Sequence, residues 1–176
     1  LQPMDGDIHF QLGEVLLSQS DFVAAAEVLK SASEILPANA SVWHALGQAQ
    51  QGAGDASAAL EALQRAQASG MQSKELAVQA GTIALELSKF DLARSNLEIV
   101  VEDEGADVST LCAYASTLEQ AEEWQRALEV YERAIRLEPD NNDLVVGLGR
   151  CCLKLGETEA AIAALVPAAN SSHQDG

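Results

Sequence analysis

Apolar residues along this chain recur at every third or fourth position. In "LARSNLEIVV" (92–101) and "ALEVYERAI" (127–135), leucine, alanine, valine and isoleucine fall on one side of a 3.6-residue turn, with charged residues opposite. That spacing predicts amphipathic helices. Short turn signals interrupt it: "QSD" at Gln19 to Asp21, "AGD" at Ala53 to Asp55 and "LGE" at Leu155 to Glu157. Each carries an N-cap residue or an acid suited to a helix start. The pattern predicts ten antiparallel helices, two to a unit, here termed A and B.

The units repeat. Gly13, Gly47 and Gly81 stand 34 residues apart, and the same step reaches Ala115 and Gly149. The residue before each is Leu12, Leu46, Ala80, Tyr114 or Leu148. Twelve residues after the small one comes a column of alanine alone: Ala25, Ala59, Ala93, Ala127 and Ala161. Four further on stand Leu29, Leu63, Leu97, Tyr131 and Leu165, then Ala32, Ala66, Val100, Ala134 and Ala168, and Pro37 and Pro139 close two units. Five units follow without insertion, at 6–39, 40–73, 74–107, 108–141 and 142–175, after a leader or remnant at 1–5. Small residues on A and alanine on B are expected to let the paired helices approach closely. Larger residues fill between units, so no unit buries its apolar face alone.

These residues resemble the tetratricopeptide repeat family, whose pattern runs W-x₂-L-G-x₂-Y, A-x₃-F, P. "WHALG" (Trp43 to Gly47) matches its first part, and "AAEVLKSASEILP" and "ALEVYERAIRLEP" match its second. Other units depart from it. His9, Ala77, Leu111 and Val145 replace the tryptophan, and Met71, Gly105 and His173 the closing proline. The resemblance implies an all-α, right-handed superhelical solenoid of antiparallel helix pairs, acting as a protein-interaction scaffold.

Composition agrees with helix: alanine, leucine and glutamine are frequent, and aromatics are 4%. A net charge of −17, from 27 acidic and 10 basic residues, repels a phosphate backbone and an anionic membrane surface. It leaves a basic or neutral protein partner as the compatible class. The longest apolar run, "AAIAALVPAA", falls short of the ~20 residues of a membrane span and contains Pro167. No secretory signal is visible, and the expected location is cytoplasmic. The opening "LQPMDG" lacks an initiator methionine, as expected of a piece of a longer protein.

"VVGLGRCC" (Val145 to Cys152) invites a phosphate-loop or redox reading. Gly149, however, falls in the small-residue column. Cys152 stands where a dinucleotide fingerprint needs its third glycine, in the column of Leu16, Gln50, Ala84 and Leu118. Neighbouring cysteines do not easily share one metal, and there is no C-x-x-C. The segment is expected to be packed helix. His9, His44 and His173 lie in separate units without metal-ligand spacing. "VEDEGAD" is a solvated helix end, and no G-x-S-x-G occurs. No catalytic residue, metal site or cofactor is expected.

What remains is the face lined by A helices. By the resemblance, three columns there face a groove holding a peptide or partner helix. From them come Phe10, Gln11, Glu14, His44, Gln48, Val78, Gln79, Thr82, Cys112, Ser116, Val146 and Arg150. Amides suit an extended backbone, and Phe10 is the one aromatic without a packing explanation. Asp7, Glu14, Glu75, Glu86, Glu119 and Asp143 face only Arg150 and Lys154, so the ligand is expected to be basic or neutral, with any acidic part near Arg150. Relatives that grip a carboxylate tail use lysine, arginine and asparagine where this chain has Phe10, Glu14, Ala45, Glu75 and Gln79, so an acidic chaperone tail is not an expected partner. Pro167 is expected to kink or end the last helix near Leu165. That would expose Ile162, Leu165 and Val166 as an association face, for a further helix or a second copy. An accessory arm of a larger enzyme, such as a transferase, and a self-assembling module are the other roles the same sequence fits.

Overall fold

The computed structural model describes residues 3–103 and 105–171, and its side chains except those of Pro3, Met4, Ala168, Asn170 and Ser171. His173 therefore lies outside the described residues, as do Leu1 and Gln2 of the expected leader. Among the described residues there are ten helices and no strand. The fold is an all-α helical solenoid.

The chain forms two compact units, Leu1–Ser88 and Lys89–Gly176. The first holds α1 (Pro3–Ser18), α2 (Phe22–Ile35), α3 (Ala40–Gly52), α4 (Ala56–Ala68) and α5 (Lys74–Glu86). The second holds α6 (Phe90–Val101), α7 (Val108–Gln120), α8 (Trp124–Leu137), α9 (Asn142–Leu155) and α10 (Thr158–Ser171). Within each unit every helix packs on the next in sequence. The division falls inside the third 34-residue segment, between its A and B helices. Pro3 opens α1, a first-turn position where its fixed φ suits the helix and its missing N–H costs nothing.

The corners from A to B share one left-handed backbone, and four of them share the same closing hydrogen bond. One residue takes a left-handed conformation: Ser20, Gly54, Ser88, Glu122 and Gly156, with φ between 57 and 86°. The next residue folds its N–H back onto the carbonyl five positions earlier, as in Asp21 to Leu16, Asp55 to Gln50, Glu123 to Leu118 and Glu157 to Cys152, at 2.9–3.0 Å. This closes the A helix in a Schellman turn. The same donor position serves as N-cap of the B helix, where Asp21 and Asp55 accept from Ala24 and Ala58. The A helices have caps of their own in Asn39, Ser73, Asp107 and Asn141.

Packing within a helix pair depends on the small column. A Cβ placed at Gly13 would lie 2.4 Å from Leu29, at Gly47 2.7 Å from Leu63, and at Gly149 2.6 Å from Leu165. The small residue thus receives the leucine sixteen positions on, while the alanine column (Ala25, Ala59, Ala93, Ala127, Ala161) is buried throughout. "VVGLGRCC" lies within α9, with Cys151 and Cys152 buried.

Pro167 does not end α10, which runs on to Ser171. Both Pro167 and Ala163, whose carbonyl loses its amide partner, are exposed, so water reaches the freed oxygen.

Candidate binding face on the A helices

In the first unit, α1 and α3 enclose a hollow of about 380 Å³ whose lining includes Phe10, Glu14, Leu17, His44, Gln48 and Met71. Phe10 is half-buried against the apolar cluster around Ala45, Leu46 and Ala49, which fixes one side of its ring and leaves the other to the hollow. Four residues from two of the expected columns, Phe10 with His44 and Glu14 with Gln48, therefore meet in one place.

A polar relay extends from the hollow to α5. His44 Nε2 lies 3.0 Å from Gln79 Oε1 and 3.4 Å from Gln48 Nε2. A single ring nitrogen cannot donate to one and accept from the other at once. With Nε2 protonated it donates to Gln79, and with Nε2 bare it accepts from Gln48. Either way one amide is left to address a ligand. The rest of this face is less engaged. Gln11 is exposed, Val78 is half-buried, and Thr82 donates its hydroxyl to the Val78 carbonyl at 2.9 Å. Asp7, Glu14, Glu75 and Glu86 are all exposed. The Glu75 carboxyl is held below the usual range by a backbone hydrogen bond and by Ser73, so it stays ionised.

The second unit is different. Ser116 donates to the Cys112 carbonyl at 2.9 Å, and burial, helped by Glu138 and Asp143, raises the pKa of the Cys112 thiol. Val146 is exposed on α9. Arg150 is not a free cation: its Nε lies 3.0 Å from Glu119 Oε2, and Glu119 Oε1 also accepts from the Tyr131 hydroxyl at 2.7 Å. Arg126 is similarly occupied by Glu98 and Glu123, both at 2.7 Å, and Arg94 by Glu123 at 2.6 Å. Of the two cations the sequence offered to an acidic ligand, Arg150 is thus paired, and Lys154 lies 5.4 Å over the Trp124 ring. At the last helix, Ile162 and Val166 are exposed, while Leu165 is half-buried beneath Gly149.

Sequence reasoning missed a second hollow, of about 440 Å³, between α2, α3 and α4. Trp43 forms one wall, its Nε1 donating to the Pro37 carbonyl at 2.8 Å, and the Arg65 guanidinium lies 4.9 Å over the indole. Gln50 Oε1, in the same lining, is buried without a hydrogen-bond partner. The one signal available was that only the second unit keeps its tryptophan. Among the described residues no cluster of His, Cys, Asp and Glu is arranged to hold a metal, and no helix is long and apolar enough to cross a membrane.

The tetratricopeptide repeat model matches residues 16–80 and 118–175, well over half the sequence. The chain belongs to the tetratricopeptide repeat family. Among solved tetratricopeptide-type structures, YrrB, described as having an unusual peptide-binding site, superposes with a TM-score of 0.85 at 19% identity, over 92% of this chain and 84% of that one. MamA of AMB-1 gives 0.87 at 17% identity, over 98% and 94%. MamA from Desulfovibrio magneticus RS-1 gives 0.79 at 16%, over 97% and 96%. At these identities the likeness is one of fold. A Drosophila melanogaster protein described as a BBSome complex member, a BBS4 homologue, is 22% identical over 88% of this chain. The chain spans about a third of that relative's length, 34%. A tetratricopeptide fold is in general a protein-interaction scaffold.

Proposed function

We propose that this tetratricopeptide domain is a non-enzymatic scaffold that seats a peptide or partner segment, basic or neutral over most of its length, on the face of its A helices. The hollow bounded by Phe10, His44 and Gln48 carries this reading. It pairs an aromatic wall with the Gln48 amide, which can bond to any extended backbone, beside the Glu14 carboxylate. The relatives described as a peptide binder and as a member of a complex add support. Charge on the rim speeds and orients encounter more than it sets affinity.

The test is selection of peptides from a random display library against the whole chain, followed by calorimetry of the winners on variants. Phe10→Ala is expected to weaken binding at least tenfold, the usual scale for a hot-spot aromatic. Gln48→Ala is expected to weaken it several-fold, and the selected peptides should be poor in Asp and Glu. Peptides whose affinity ignores both substitutions would place the binding face elsewhere.

A further inference from the structure

One column of the array holds a polar residue where its other members are apolar. Gln50, on α3, shares it with Leu16, Ala84, Leu118 and Cys152. Ala84, Leu118 and Cys152 are buried, so the fold fills this position with carbon or sulfur elsewhere. Gln50 places an oxygen there instead: its Oε1 is buried and accepts no hydrogen bond. Leaving a buried acceptor unbonded costs free energy, and the leucine at 118 shows a side chain that avoids the cost. The oxygen belongs to the hollow of about 440 Å³ between α2, α3 and α4. None of Phe10, Glu14, His44 and Gln48 lines that hollow.

In the second unit the same place is filled from within the chain. Two repeats on, Leu46, Asp55 and Ala58 become Tyr114, Glu123 and Arg126. The Arg126 guanidinium lies among α6, α7 and α8, with Nη1 2.7 Å from Glu123 and Nη2 2.7 Å from both Glu98 and the Tyr114 hydroxyl. In the first unit Leu46 and Ala58 are too short to reach across, and the space stays open. Asp55 keeps the place of Glu123, and Glu34 and Glu61 add two more carboxylates to the lining. One oxygen of Asp55 accepts from the Ala58 amide at 3.0 Å, which leaves its carboxylate further acceptor sites. Two cations oppose these three acids: Lys30, where Glu98 stands in the second unit, and Arg65, drawn over the Trp43 ring. Both are exposed, and neither donates to Gln50 Oε1.

We propose that this hollow is a second binding site, taking an arginine side chain of a partner protein whose guanidinium donates to Gln50 Oε1 and faces the carboxylates of Asp55, Glu34 and Glu61. The ligand supplies from outside what Arg126 supplies from within in the second unit. A guanidinium suits the lining because it carries five donors in a fixed plane, enough for the buried amide oxygen and for carboxylates beside it. An anion has no donor for Gln50 and meets more acids than bases. An apolar side chain fills space but leaves the oxygen unbonded. The net charge of −17 draws a cationic segment toward the surface. The site is separate from the face of the A helices and stands whether or not that face seats a peptide.

Nuclear magnetic resonance on the whole chain tests this through the indole N–H of Trp43, a wall of the hollow. The probe is a blocked glycine–arginine–glycine peptide, with citrulline, norleucine and aspartate versions beside it. The arginine peptide is expected to shift that resonance saturably in the millimolar range. The citrulline peptide, which keeps donors but not charge, should bind several-fold more weakly, and the other two should leave the resonance unmoved. Gln50→Leu installs the residue the column carries at 118, so it is expected to melt at or above the wild-type temperature while weakening the arginine response several-fold. Gln50→Glu, which adds charge to the acceptor, is expected to strengthen it several-fold. An arginine peptide without a saturable shift would overturn the proposal. So would an equal or larger response to the aspartate peptide, or either variant failing to move the affinity in its stated direction.

Discussion

Gly147 is predicted to be a position where alanine, the better helix former, destabilises the protein. In α9 a Cβ there would lie 2.4 Å from Cζ and 2.5 Å from Cε1 of Tyr131. The ring cannot step aside freely, because its hydroxyl is held at 2.7 Å by Glu119, itself paired with Arg150. Helix propensity favours Gly147→Ala by about 1 kcal/mol. Forcing a methyl into a packed site costs about 1–3 kcal/mol, and losing the tyrosine's hydrogen bond adds about 1 kcal/mol. The balance is a loss of about 2 kcal/mol, or about 4–8 °C in melting temperature for a chain of this size. The sequence suggests the control. Sixteen residues after Leu29 and Leu97 the chain has Ala45 and Ala113, whereas Tyr131 is followed at that distance by Gly147. Leucine in the B helix thus admits alanine in the next A helix, and tyrosine demands glycine. In a Tyr131→Leu background, Gly147→Ala is expected to stabilise by about 1 kcal/mol, a coupling of about 3 kcal/mol between neighbours in contact. Urea unfolding followed by Trp124 fluorescence, which reports on the second unit, measures both. If the substitution has the same sign in the two backgrounds, the steric argument fails.

Asp107 caps α7 by accepting from the Thr110 amide at 2.7 Å, and Asp107→Ala should cost about 1 kcal/mol in the same assay. Thr110, through its side chain and then its amide, holds that carboxyl below the usual range. Its contribution is therefore complete above pH of about 4 and is lost as pH falls further. The variant should show a shallower acid limb, and parallel limbs would count against the cap. At the alkaline end, burial pushes the Tyr114 hydroxyl up to about 12, with Arg126 opposing the rise and the Glu98 carboxylate adding to it. Tyr131 is raised as well, first by burial and then by Glu119. Stability from both is complete below pH of about 10 and declines above it, as the unfolded chain begins to lose those protons. Ultraviolet titration of the folded protein, which has just these 2 tyrosines, should show no phenolate near pH of about 10. A normal transition there would contradict the burial of the two rings. Finally, an acidic peptide ending in a free carboxylate should not bind measurably by calorimetry, because Arg94, Arg126 and Arg150 are already paired; micromolar affinity would refute this.

Much of the fold was legible because a 34-residue period repeats one structural solution five times. The corner signals, the buried alanine column and the packed character of Gly149 and Cys152 all follow from comparing columns. The meeting of Phe10 with His44 and Gln48 was legible for the same reason, since neighbouring A helices place matching columns side by side. The pairing of Arg150 with Glu119 was not legible, because the two lie 31 residues apart on different helices and helical spacing is silent about such pairs. Gly147 stands in the same column as Gln11 and Gln79, yet it is buried under Tyr131, a ring whose size overrides the column's usual role. Pro167 was read by the rule for helix interiors, which weakens where the freed carbonyl faces water.

The uniform corners bear on how such a chain can change its length. Every A-to-B corner is set by one left-handed residue, and at Gly54 and Gly156 a Cβ would meet nothing within 4 Å. Ser20, Ser88 and Glu122 take the same left-handed conformation, so the corner is defined by its backbone, which glycine adopts most easily, and not by room for a side chain. A crossover that joins the corner of one copy to the corner of another inserts or removes whole units while leaving every dihedral and cap as before. Recombination at these corners can therefore lengthen or shorten the array in steps of one repeat, and selection would then act on the reach of the molecule without first having to rescue its folding.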